Sequence, residues 1–121
     1  MDSILTSIKK LLGITKECTS FDPDLIIHIN SVFLTLKQLG VGPEEAFAIT
    51  GEYETWDQFL PEGNPNFEAV KSYMYIKVKL QFDPPTSSSV MEAMNRMASE
   101  YEWRLNAEAE STSGEEEDQN E

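Results

Sequence analysis

The chain predicts an all-α fold: a small bundle of about four helices, with a long loop between the second and third and an acidic C-terminal tail. Three observations carry this. Apolar residues recur at helical spacing in four separate stretches. A double-proline break, Asp83-Pro84-Pro85, parts the last two; each ring removes an amide donor, and Pro85 pushes Pro84 out of the α region. Residues 108–121 then hold seven acidic groups and no basic one, a composition that stays disordered because it offers little apolar surface to bury. The boundaries are a helical domain over 1–107 and a low-complexity tail over 108–121.

The first helix runs from Ser3 to Leu12. Ile4, Leu5, Ile8, Leu11 and Leu12 fall at helical spacing, and Gly13 is a natural stop. Lys9 and Lys10 sit in the last turn, where they suit the helix dipole. A basic amphipathic helix can anchor to a membrane, but one of about three turns is better read as a packing helix. Asp22-Pro23-Asp24 opens the second helix, with Asp22 as cap and Pro23 in the first turn. Leu25, Ile29, Val32, Leu36 and Leu39 form its stripe, widened by Ile26 and Phe33. Asp24, His28, Ser31, Thr35 and Gln38 form the wet face, and the helix ends at Gly40.

Residues Val41 to Glu54 are punctuated by Gly42, Pro43 and Gly51 and do not read as helix. Phe47 to Thr50 fits a short extended piece. A loop this long and apolar in a small domain is usually functional or ordered by a partner. Thr55 to Leu60 fits a turn or two of helix with Trp56, Phe59 and Leu60 on one side.

The third long helix spans Asn66 to Phe82. Phe67, Val70, Met74, Val78 and Phe82 share one face, and Ala69, Tyr73, Ile76 and Leu80 a second. Only Glu68, Ser72, Tyr75 and Lys79 form a polar strip. A helix apolar on most sides is either central to a bundle or shared between subunits. The fourth helix restarts at the Thr86–Ser89 run, with Ser89 and Glu92 spaced as a capping box, and runs to about Ala107. Val90, Met94, Met97, Tyr101 and Leu105 line its core face, flanked by Met91 and Ala98. Trp103 falls on the far side with Glu92, Arg96 and Ser99.

Charge and chemistry narrow the function. The net charge is -13 over 121 residues; the tail's seven acids leave 15 acids and 9 bases in residues 1–107, or -6. Tight nucleic-acid binding needs clustered Lys and Arg, whereas Lys71, Lys77 and Lys79 point in different directions. Cys18 is the single cysteine, so neither an internal disulfide nor a four-thiolate zinc site can form. No stretch is apolar enough to cross a membrane. The N-terminus lacks signal-peptide features, so the product is expected to stay in the cytoplasm of the cell that makes it.

His28 has Asp24 and Ser31 as helix neighbours, but such a trio on one exposed surface has neither an oxyanion hole nor a pocket to exclude water. A solvated histidine is the simpler reading. No phosphate loop, HExxH, CxxC or EF-hand spacing occurs. The chain reads as a non-enzyme without cofactor or metal.

With the helices in order, the segments Asp2–Gly13, HINSVFLTLKQLGVGPEEAFAITGEYETWDQFL (His28–Leu60) and VKSYMYIKVKLQFDPPTSSSVMEAMNRMASEYEWRLN (Val70–Asn106) resemble the head–tail connector, or adaptor, family of long-tailed double-stranded-DNA bacteriophages. The LGVGPEE loop followed by FDPPTSS and EWRLN is the distinctive part. The resemblance implies a structural protein of the virion. It implies a homo-oligomeric ring, usually a dodecamer, below the portal protein. Such a ring extends the DNA channel without tight DNA binding and docks a stopper or tail-completion protein.

For such a ring subunit, the expected lateral surface is Tyr73, Ile76 and Leu80 with Phe47 and Ile49 of the loop. The expected anchor is Trp103, with Arg96 and Ser99 beside it, because Trp and Arg are enriched at binding hot spots. The competing class is an acidic DNA mimic that inhibits a nucleic-acid enzyme. A mimic would set its acids in rows on the folded surface, whereas here they gather in the tail.

Overall fold

A computed structural model of the chain describes residues 3–119, and side-chain surroundings for residues 3–110. Five helices follow in order: α1 (Ile4–Leu12), α2 (Asp22–Gln38), α3 (Trp56–Phe59), α4 (Phe67–Phe82) and α5 (Ser88–Gln119). No strand occurs among the described residues; a single antiparallel bridge joins Ser3 to Thr55. The architecture is all-α.

The hydrophobic helix α4 is the centre of the bundle, with α1, α2 and α5 all packed on it. That accounts for apolar residues on most of its sides. Val70, Tyr73, Met74, Ile76 and Val78 are all buried. Opposite them lie Ile4, Leu5 and Ile8 of α1, Leu25, Ile29, Val32, Phe33 and Leu36 of α2, and Ala98 and Leu105 of α5. Removing this much apolar surface from water is the main stabilising term.

Local chemistry sets the helix ends. The Ser3 hydroxyl accepts the Thr6 N–H at 3.2 Å, and Gly13 closes α1 at φ 81°. At the start of α2, Asp22 is the first helical residue and not the cap. Its carboxylate is drawn instead to Lys9. The Lys9 side chain is 3% exposed; its Nζ lies 2.9 Å from Asp22 Oδ1 and donates to the carbonyls of Cys18 (2.7 Å) and Lys16 (3.2 Å). The Asp22 contact is an ion pair without hydrogen-bond alignment. A buried ammonium needs its partners, so this one side chain ties α1, the connecting loop and α2 together.

The 41–54 loop is folded onto the bundle. Phe47 meets Phe33 and Phe59 at ring-centroid distances of 4.9 and 5.3 Å, and Phe33 meets Phe59 at 4.6 Å. Ile49 is buried, and its backbone is held at both polar atoms by Asn30. Gly42 sits at φ 101°, and a Cβ there would lie 2.5 Å from Phe59 Cε1. The LGVGPEE turn therefore needs glycine both for its backbone and for its fit over that ring. The following α3 is anchored by Trp56, whose Nε1–H donates to Ser7 Oγ at 2.7 Å.

Two expectations about α5 change. Its first turn is capped by Ser87, whose Oγ accepts the Val90 N–H at 3.4 Å, and not by the Ser89–Glu92 pair. Its backbone also stays helical past Ala107 to Gln119. An established helix propagates easily, and Ala107 to Glu110 are good helix formers. The side chains of Glu115 to Asp118, and the whole of Glu121, lie outside the described residues.

Candidate partner-binding surfaces

The polar groups that invite a chemical reading are engaged structurally. His28 Nδ1 lies 2.9 Å from Gln81 Oε1, and the imidazole and the Phe82 ring meet edge to face with centroids 6.4 Å apart. It bridges α2 to α4 and makes no hydrogen bond to Asp24 or Ser31. The Tyr73 hydroxyl donates to Glu102 Oε2 at 2.8 Å; burial first, then that carboxylate, pushes its pKa far up, so it remains a neutral donor. No group of three metal-ligating side chains occurs among the described residues. No helix searched there is long and apolar enough to cross a membrane.

The structure divides the sequence-predicted contact residues into two sets. Tyr73 and Ile76 are 0% and 4% exposed, and Leu80 is half-buried against the same core. Phe47 is half-buried in the aromatic cluster and Ile49 is buried. These five side chains pack within their own chain. The expectation of an uncovered lateral face on α4 is corrected: α1, α2 and α5 cover it.

The other set is open to solvent. Trp103 is 72% exposed, so neither α1 nor the loop folds back over it. Arg96 and Ser99 are exposed on the same side of α5. Shallow grooves flank the indole. One, of about 360 Å³, is bordered by Ser99 and Glu102 on α5 and by Leu39 after α2. The other, of about 430 Å³, is bordered by Asn66 and Ala69 at the start of α4 and by Arg104. The indole thus stands in solvent between two clefts.

Sequence reasoning also missed exposed apolar groups, Ile27 and Leu34 among them. Ile27 and Leu34 are 66% and 58% exposed, although both lie on the face of α2 read as wet. Their i, i+7 spacing places them on one line opposite the core stripe, a signal present in the sequence but overlooked beside the longer stripe. On α5 the buried face turns toward Ala98 and Leu105, which leaves Val90 and Met97 each 47% exposed and not in the core face expected. Asn30 is also a determinant that periodicity could not single out.

Comparison with known proteins gives the family. The family model described as "Phage connector protein" matches residues 4–112. No curated protein and no solved structure matches the chain. The match covers all five helices except the end of α5, including the glycine turn over Phe59 and the proline break. The chain belongs to the phage connector protein family.

Proposed function

We propose that the protein is the head–tail connector subunit that forms a ring under the portal, extends the DNA channel and docks the stopper or tail-completion protein. Membership of a structural phage-connector family supports a place in the virion. The observation that carries the contact role is Trp103, left 72% exposed between two grooves with Arg96 and Ser99 beside it. A ring subunit held between two partners needs such an anchor, and aromatic and arginine side chains dominate binding energy at interfaces. The acidic chain also suits a channel wall, since it repels the phosphates of passing DNA. The family match favours this reading over that of an acidic DNA mimic. The test is to purify DNA-filled heads from cells lacking the gene and add the protein. Stoichiometric multimeric retention at the portal vertex, followed by tail attachment, is the expected result; heads that bind tails normally without it would overturn the proposal.

A further inference from the structure

A pocket of about 430 Å³ opens between α3 and the start of α4. Trp56, Leu60 and Phe67 give it an apolar lining, and Asp57, Glu62, Glu68 and Lys71 supply its charges. Three carboxylates against one ammonium leave the rim negative. All three acids are exposed, and no ion pair among the described residues engages them. The Lys71 ammonium lies 5.3 Å from the Phe67 ring centroid, so this aromatic wall already accepts a cation. A pocket of aromatic and acidic groups selects a cationic side chain, above all a guanidinium, which stacks on rings and forks onto carboxylates.

The chain also carries the complementary surface. Its only two arginines, Arg96 and Arg104, are both on α5. Arg104 is paired with Glu100, whereas Arg96 is exposed and free of ion pairs among the described residues. Arg96 lies on the Trp103 side of α5. The groove beside Trp103 is bordered by Asn66 and Ala69, and the acidic pocket by Phe67, Glu68 and Lys71. At 3.6 residues per turn these sets face different flanks of the same end of α4. Two complementary surfaces on different flanks of one subunit are what a head-to-tail, ring-closing contact requires.

Resting on the ring reading above, we infer that Arg96, steered by Trp103, enters the Trp56–Phe67 pocket of the next copy and is held by its acidic rim. The occupant is a second copy of this chain, because the same molecule supplies both the unpaired cation and the unpaired acids.

The test uses the full chain and DNA-filled heads. Arg96→Glu and Glu68→Arg change exposed side chains, so both variants should melt like the native protein. Each single variant should lower connector multimer per head at least about tenfold. The double variant, which restores opposite charges across the contact, should recover most of it. Normal retention by either single variant, or no recovery in the double, overturns the inference. Loss with Glu68→Arg but not Arg96→Glu also overturns it and assigns the pocket to a basic segment of another protein. If native heads carry no multimer at all, the ring reading itself falls, an outcome distinct from a native ring that ignores both substitutions.

Discussion

Asn30 closes a two-bond ring with the backbone of Ile49: its Nδ2 donates to the Ile49 carbonyl at 3.0 Å, and the Ile49 N–H donates to its Oδ1 at 2.7 Å. One amide on α2 thus satisfies both backbone polar groups of a buried residue in the 41–54 loop. Asn30→Ala leaves both Ile49 groups without that partner and should cost about 1–3 kcal/mol. Asn30→Asp loses the donor and sets a carboxylate against a carbonyl, so it should be at least as harmful at neutral pH. Urea denaturation of the two variants checks the order.

Lys9 and Asp22 should behave as a buried pair. Lys9→Met removes the cation paired with a largely buried carboxylate, at a cost of roughly 3 kcal/mol or more. Changing Asp22 to Asn in the same chain should recover part of that loss, because the abandoned charge goes with it. A double-mutant cycle by thermal melting measures the coupling. Additive losses would mean that the pair does not act together.

Trp103→Ala should leave the melting of the isolated chain within about 0.5 kcal/mol of native, since the ring is mostly in solvent. Docking on heads should weaken by roughly 2 kcal/mol or more. A loss of fold stability instead would show that the indole supports its own bundle.

Ile76 and Ile27 make a contrasting pair. Ile76 is 4% exposed and Ile27 is 66% exposed. Aspartate at 76 buries an unpaired charge and should destabilise the domain by about 3 kcal/mol or more. Aspartate at 27 should change stability by no more than about 0.5 kcal/mol. Circular dichroism melts of both variants decide whether α4 is core.

Glu54 gives an acid-dependent term. Burial acts to raise its pKa, but hydrogen bonds from the Thr50 hydroxyl and nearby backbone N–H groups outweigh it and hold it below the ordinary 4.5. Its Oε2 receives Thr50 N–H at 2.9 Å and Thr50 Oγ1–H at 2.8 Å. A lowered folded pKa stabilises fully above the ordinary value and is lost as pH falls through the folded one. The stability difference between native and Glu54→Gln should therefore stay constant from neutral pH down to the ordinary 4.5 and shrink as pH falls from there through the lowered folded pKa. Melts across this range read the difference directly.

Most of the fold was legible in the sequence because it rests on local patterning. The stripe from Leu25 to Leu36, the Gly13 stop and the proline break each act through their own backbone and nearest turns. The face that each helix turns inward was less legible where two faces are apolar. For α4 the pattern of Tyr73 and Ile76 fits a shared face as well as a central helix, and only the positions of α1 and α5 decide between them. Met97 was placed inward by spacing, yet a modest rotation of α5 puts Ala98 there instead. The candidate surface was half legible: Trp103 stood out by its offset from the stripe. The Trp56–Phe67 pocket joins residues from two elements across a turn, which no single periodicity displays.

The grip of Lys9 on the Cys18 carbonyl places the chain's one thiol at the corner that this lysine closes. Cys18 is half-buried, so opening of that corner should speed its reaction with a thiol reagent. The native protein thereby carries its own clock for local unfolding, without an engineered label. Timing the reaction in free protein and again on assembled heads measures whether docking quiets motion at a place distant in sequence from Trp103. A slower clock on heads would mean that binding energy gained at one end of the bundle reaches the other as lost motion.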